Sequence, residues 1–265
     1  MKKIILLFAF ACFLTSCNVT ESIVFDNNMS GQYITAFDMA PMMEYANKNR
    51  PASKGGPKKE KIDTTIVFDD LYKTHKDSIA ALSDEQRAEF KKLKGMVLKM
   101  QMDEEKSIFK FEMSKKFKAF DELKTIYDQT DEAMDYVKNM SNKDGQAPQE
   151  QVDGLTSTEK VTFSFENNTF SRFQLSTLKD EDDEMDEEDM EAEDDPFKKQ
   201  MEMQFEEVFS NSFYTLTYRF PKKVKSVSSK DAVISEDGKT VTYKVSWNAI
   251  NGDASIMNLD VVLED

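Results

Sequence analysis

The sequence predicts an α+β fold, with antiparallel sheet or sheets covered on one face by amphipathic helices. Three observations predict it. Apolar and polar residues alternate over several short segments, most regularly within 96–113 and 214–247, the period-two mark of half-buried strands. Apolar residues recur at helical spacing over 120–137 and 197–209. Asn, Asp and Gly turn signals stand between the strands at hairpin distances.

The chain opens with Lys2 and Lys3, an apolar run from Ile4 to Leu14, and Leu14-Thr15-Ser16-Cys17. A basic start, a short apolar stretch and small residues before a cysteine make a bacterial export signal. Its last four residues resemble the lipobox of bacterial lipoproteins. The resemblance implies lipidation of the Cys17 thiol, cleavage before Cys17 and acylation of the new amino terminus. A transmembrane anchor is the competing reading, but a spanning helix needs about twenty apolar residues. Two or three acyl chains, at about 0.8 kcal/mol per buried CH₂, hold a protein on a membrane almost permanently. No other segment reads as a membrane span. Residues 18–265 are therefore expected to be a soluble, tethered α+β region, one domain being favoured over two.

Ile23 and Phe25 alternate with polar neighbours, Asn27–Gly31 is turn-like, and Tyr33, Thr35 and Phe37 alternate after it. This predicts a hairpin beside the tether. Asp38 can cap a short helix holding Met39, Met42, Met43 and Tyr45, with Pro41 in its first turn. Residues 47–61, rich in Lys, Gly and Pro, read as a flexible loop. Ile62–Phe68 is a strand, and Asp69 or Asp70 then caps a helix to about Ala81. Ser83 and Gln86 form a capping-box pattern for a second helix, which ends near Gly95. Met96, Leu98, Met100 and Met102 face one way along a strand. After a turn at Asp103–Lys106, Phe109, Phe111 and Met113 repeat the alternation. A helix from about Ala119 to Met140 follows on Phe120, Leu123, Tyr127, Met134 and Val137, then a loop to Ser157.

Val161, Phe163 and Phe165 mark a strand that Asn167-Asn168 turns into a partner carrying Phe173 and Leu175. Residues 178–196 read as an acidic loop. Pro196 suits the first turn of an amphipathic helix on Phe197, Met201, Phe205, Val208 and Phe209. Tyr214, Leu216, Tyr218 and Phe220 alternate up to Pro221. Val224 and Val227 suggest a short strand, and Asp237-Gly238 is a type I′ turn signal. Val241, Tyr243, Val245 and Trp247 alternate beyond it as an inward-facing strand, and Ile256–Leu263 closes the chain. The passages 96–140 and 161–209 share a pattern but not a sequence, so no duplication is read.

Composition narrows the chemistry. Cys12 leaves with the signal peptide and Cys17 is consumed by lipid, which leaves no disulfide, cysteine metal site or thiol nucleophile. The single histidine, His75, lies among Lys73, Thr74, Lys76 and Asp77 and reads as an exposed helical residue rather than a buried base. One histidine and no free cysteine give no zinc signal. Gly55-Gly56 lacks the ending of a phosphate loop. The net charge of −15 is mostly local, because Asp180–Asp195 holds thirteen acids in sixteen residues and no base. That run lacks the spacing and the glycine of a calcium loop and reads as a solvated, self-repelling linker. The remainder is near neutral with no basic stripe, so nucleic acid is not an expected partner. Met39, Met42, Met43, Met96, Met100 and Met102 fit ordinary core, an adaptable apolar groove being the sharper alternative. Trp247 likewise reads as core rather than as a sugar platform. No catalytic, cofactor or metal residue is assigned.

The segment Tyr214–Val224, with Ser235-Glu236-Asp237-Gly238-Lys239-Thr240-Val241, resembles a recurring ending of uncharacterised Bacteroidetes lipoproteins. It is also similar to a Phe-x-x-Pro…Asp-Gly-Lys-Thr-Val pattern of LppM-type lipoproteins. The likeness covers about fifty residues. It implies a helix-on-sheet fold and contact with lipid or glycolipid, and it carries no catalytic residue. This chain departs from the LppM type by inserting the acidic run and by lacking a C-terminal transmembrane helix. Asp77-Ser78-Ile79 and Asp63-Thr64-Thr65 resemble the short O-glycosylation acceptor of Bacteroidetes. Residue 18 is Asn, whereas Asp there retains enteric lipoproteins on the inner membrane. That favours the outer membrane, and the single acid in 18–22 favours its periplasmic face over the cell surface.

The expected function is a non-enzymatic envelope lipoprotein that meets a membrane through its N-terminal lipid and binds an apolar ligand, a lipid or glycan, or an envelope protein. A carboxylate-dependent hydrolase and a structural spacer are the rivals. The acidic run contains only Met185, Met190 and Ala192 as apolar residues, too few to contribute core. Replacing Asp180–Asp195 by a short Gly/Ser loop should leave the melting temperature at fixed salt essentially unchanged, as differential scanning calorimetry would show.

Overall fold

The computed structural model describes residues 18–41, 61–130, 161–174 and 212–265. Most of the 47–61 loop, the part from Met42 on of the short helix expected after Asp38, the part beyond 130 of the helix expected over Ala119–Met140, the 178–196 run, the helix on Phe197–Phe209 and Leu175 lie outside the described residues. In chain order the elements begin with β1 (Asn18–Phe25) and β2 (Gly31–Asp38), the expected hairpin. β3 (Lys61–Val67) runs straight into α1 (Phe68–Thr74), followed by α2 (Lys76–Ala80) and α3 (Asp84–Lys92). β4 (Met96–Asp103) and β5 (Ile108–Phe117) form a second hairpin, and α4 spans 122–130. β6 (Val161–Glu166) and β7 (Thr169–Gln174) form a third. β8 (Phe213–Arg219), β9 (Val224–Val227), β10 (Val233–Ile234), β11 (Thr240–Ser246), α5 (Trp247–Gly252) and β12 (Leu259–Leu263) complete the described fold.

The strands make two sheets. The larger has the order β10-β11-β8-β1-β2-β5-β4-β3 and the smaller β6-β7-β12-β9. Among the described strands every pairing is antiparallel except β1 with β8, which runs parallel from Asn18↔Phe213 to Val24↔Arg219. Sheet dominates this α+β structure. Among the described residues, helices pack on one part of the inner face of the larger sheet and the smaller sheet packs on another.

Two apolar clusters record that division. One joins Ile23, Phe25, Tyr33, Phe117, Leu216, Tyr218 and Tyr243 of the larger sheet to Phe170, Leu259, Val261 and Leu263 of the smaller, with Leu123 and Ile126 of α4. Phe25 sits at its centre, stacked on Phe220 at 5.3 Å and edge-on to Phe170 at 5.4 Å. The other joins Val19, Phe37, Met96, Leu98 and Met113 to Phe68 and Leu93 of the helical segment and to Trp247.

Four expectations are corrected in detail. The helix expected from Asp69 or Asp70 to Ala81 is two helices broken at His75, and neither aspartate caps it. Phe68 is drawn into the core, so α1 has Val67 at its N-cap, two residues before Asp69, and Asp69 instead accepts the Gly95 amide at 2.9 Å. On β7 the inward side chains are Phe170, Arg172 and Gln174, while Phe173 is 49% exposed. Asn167 and Asn168 both take positive φ, a two-residue turn that pairs Glu166 with Thr169 and fixes this parity. At Asp237-Gly238 only Gly238 has positive φ. The turn closes through Gly238 N–H to the Ser235 carbonyl at 2.9 Å, and the Asp237 carboxylate accepts from the Ser235 hydroxyl and the Lys239 amide. Finally, Trp247 is buried but begins α5 instead of ending a strand, because the Ser246 hydroxyl caps the helix by accepting from the Ala249 amide.

The capping box is as expected, with Ser83 Oγ accepting the Gln86 amide at 3.2 Å and Gln86 Oε1 accepting the Ser83 amide at 3.1 Å. Trp247→Ala should cost about 3–5 kcal/mol in denaturant unfolding. Lys244→Ala, on the opposite face with its ammonium 3.7 Å from the Phe213 ring centroid, should cost no more than about 1 kcal/mol. A Cβ on Gly31 would collide with the Val24 carbonyl oxygen and the Phe117 ring. Gly31→Ala should therefore destabilise by about 1–3 kcal/mol in the same assay.

Candidate functional site

The inward positions of β1 are Val19, Glu21, Ile23 and Phe25, all buried. Period two thus places a carboxylate on the core face. Opposite it, the parity of β7 sends Arg172 inward. Arg172 Nε lies 3.3 Å from Glu21 Oε1, and Nη2 lies 3.3 Å from Oε2. Nη1 donates to Gln174 Oε1 at 2.8 Å and to the Met257 carbonyl at 3.3 Å. Two hydroxyls complete the carboxylate's shell, Tyr218 donating to Oε1 at 2.5 Å and Tyr214 to Oε2 at 3.2 Å. Glu21 is 0% exposed and Arg172 2%. The pair lies between the two apolar clusters, Val19 belonging to one and Ile23 to the other.

Burial works against the Arg172 charge, but the adjacent Glu21 carboxylate outweighs it and holds the guanidinium above its ordinary pKa. Burial, and then the negative charge of Glu21, raise Tyr33, Tyr214 and Tyr218 well above the usual tyrosine value. Glu21 is the only carboxylate among the buried residues described. Sealed and ion-paired, it presents no acid or base to a substrate. Its chemistry is to join the two sheets.

The two ends of β1 differ. Beyond Phe25 lies an open polar cleft of about 420 Å³, lined among others by Asp26, Asn27, Asn28, Arg219, Pro221 and Lys239. Arg219 Nη1 is 3.1 Å from Asp237 Oδ2 and 3.0 Å from Thr240 Oγ1. Hydrogen bonds from the Ser235 hydroxyl and the Lys239 amide, with Arg219 beside them, hold the Asp237 carboxyl down at about 2. At the other end, Asn18 pairs with Asp38 on one side and Phe213 on the other.

Of the residues singled out from sequence, Cys17 lies outside the described residues, next to Asn18. His75 is exposed in the break between α1 and α2. Met39 and Met96 are buried core, Met100 and Met102 are half-buried, and Met42 and Met43 lie outside the described residues. Asp63-Thr64-Thr65 stands on β3, an edge strand, and Asp77-Ser78-Ile79 on α2. Sequence reasoning missed Glu21 and Arg172. The signal was present: Glu21 is in phase with Val19, Ile23 and Phe25, and the Asn167-Asn168 turn puts Arg172 in phase with Phe163. Among the described residues no three His, Cys, Asp or Glu side chains could hold a metal ion together. No described helix is long and apolar enough to cross a membrane.

Removing one partner of a buried pair strands the other charge. Arg172→Met should cost about 3–5 kcal/mol, and adding Glu21→Leu should restore much of it, as a double-mutant cycle in urea would show. The buried tyrosines keep their protons where those of the unfolded chain, with pKa about 10, lose them. The stability they contribute is complete below that pH and is lost as pH rises above it. Tyrosinate absorbance should therefore show Tyr33, Tyr214 and Tyr218 ionising only as the protein unfolds in alkali.

No protein-family model matches the chain, and no curated protein matches it. Among solved structures it is similar to the folded domain of the Mycobacterium tuberculosis LppM protein, determined by NMR. The TM-score is 0.36 at 9% identity, over 94% of this chain and 91% of that one. A likeness of that size is loose, and it fixes neither the fold nor the activity.

Proposed function

We propose that this chain is a non-enzymatic lipoprotein of the bacterial cell envelope, held through Cys17 on the periplasmic face of the outer membrane. The observation that carries this is the export signal ending in Leu14-Thr15-Ser16-Cys17, with β1 beginning at the next residue. Cleavage before Cys17 would leave every described strand whole. The polar cleft beyond Phe25 is then the surface turned toward a soluble or envelope partner. Asp26, Arg219 and Lys239 give it charge of both signs, which suits a polar glycan or protein better than an apolar ligand. The hydrolase reading draws no support from Glu21, whose oxygens are taken up by Arg172, Tyr214 and Tyr218.

Cys17→Ala should abolish both processing and acylation. In cells fed a labelled fatty acid, the wild-type protein should carry label and the variant should retain residues 1–16 without it. Incorporation of label into the variant would sink the assignment.

A further inference from the structure

The tether has no slack. Asn18 is hydrogen-bonded into the interior of an eight-stranded sheet, paired with Asp38 of β2 and Phe213 of β8. Consecutive Cα atoms are about 3.8 Å apart, so a lipid on the residue before Asn18 is attached one such step from the sheet. An acyl group on Cys17 therefore brings this end of the sheet down to the bilayer surface.

The sheet end is not level. Asp38 pairs with Lys110 of β5, so Ile108 stands two residues, or about 7 Å, beyond the row that contains Asn18. Asp103 of β4 pairs with Ile108, and Lys61 of β3 pairs with Asp103. The turn Glu104–Lys106 and Ser107, at φ 50°, project further still. The β4–β5 hairpin thus overhangs the lipidation point by more than the one residue that separates Asn18 from Cys17. The headgroup layer is about 5–7 Å deep on each side of a bilayer. With β1 standing along the bilayer normal, a hairpin tip overhanging by this amount reaches into that layer.

We propose that the tip of the β4–β5 hairpin, Glu104–Ser107, rests in the headgroup layer of the bilayer that receives the Cys17 lipid. This rests on the lipoprotein reading. The occupant of this sheet end is a lipid surface, because the tether delivers one there and leaves no spacer to reach past it. Charge is a minor contributor. Among the described residues, Lys61 and Lys106 lie 3.9 and 3.8 Å from Asp103 Oδ2 and Lys110 lies 3.1 Å from Asp38. The contact should therefore be insensitive to salt. It also orients the molecule. β1 spans about 23 Å from Asn18 to Phe25, so the polar cleft stands at least that far along the chain from the lipid.

The mature chain has no thiol besides Cys17, so an introduced cysteine is the sole labelling site. Lys106→Cys and Asn27→Cys, each carrying an environment-sensitive fluorophore, would be compared in the acylated protein. The vesicles would be phosphatidylethanolamine and phosphatidylglycerol with a nitroxide on the headgroup. Position 106 should be quenched several-fold more than position 27, without change in high salt. A Gly/Ser spacer of about ten residues between Cys17 and Asn18, which reaches roughly 17 Å, should remove most of the difference. Equal quenching at both positions with Cys17 acylated by mass spectrometry would overturn the docking and leave the lipoprotein reading standing. Absence of acyl mass on Cys17 would remove both. Shielding at 106 that persists in dilute detergent would place a second copy there and overturn the lipid contact.

Discussion

The contact between Glu21 and Arg172 governs how the two sheets meet. It ties β1 and β8 of the larger sheet to β7 of the smaller, with two tyrosine hydroxyls and the Met257 carbonyl completing its shell. Buried ions tolerate little displacement, since each lost hydrogen bond exposes an unpaired charge to an apolar surround. A one-residue slip of β7 would exchange Arg172 for Phe173 on the inner face and leave the carboxylate alone. Apolar packing alone would accept several alignments of the two sheets. The ion pair accepts one.

Around that lock the core is divided by type of cover. On the Ile23 side, sheet packs on sheet through interleaved aromatic rings, and α4 closes the edge with Leu123 and Ile126. On the Val19 side, short helices supply Phe68 and Leu93 instead. The helices there are too short to form by themselves. The start of α1 is set by what the sheet draws inward, as Phe68 shows.

Much of this was legible in the sequence wherever an element buries one face only. β1, β2, β4, β5, β8 and β11 carry apolar residues at every second position over much of their length, and that alternation states both the element and the side that faces in. The Ser83–Gln86 box and Gly95 mark the limits of α3 because capping is a local interaction. What could not be read was tertiary. Nothing local shows that β6, β7, β9 and β12 leave the main sheet to form their own, or that β1 and β8 run parallel. Phe173 looked apolar enough to point inward, yet the partner awaiting that face of β7 was a carboxylate some 150 residues away. Glu21 itself read as one acid near the tether, since its meaning lies in Arg172. Asp237 and Trp247 were displaced by hydrogen bonds of Ser235 and Ser246, local competitors that alternation does not count.

The parallel pairing of β1 with β8 has a consequence in time. β1 is made first, but one of its two neighbours in the sheet, and both tyrosines that serve Glu21, are made about two hundred residues later. The loop that this pairing closes is about 190 residues long, and closing it is slow relative to local hairpins. Until β8 and β11 exist, the β1–β2 hairpin holds an uncompensated acid on its apolar face and an open edge. A nascent chain built this way cannot complete its core until β8 and β11 have been made. Under the export proposed for this chain, a late-closing sheet would keep it threadable during the interval in which it has to travel.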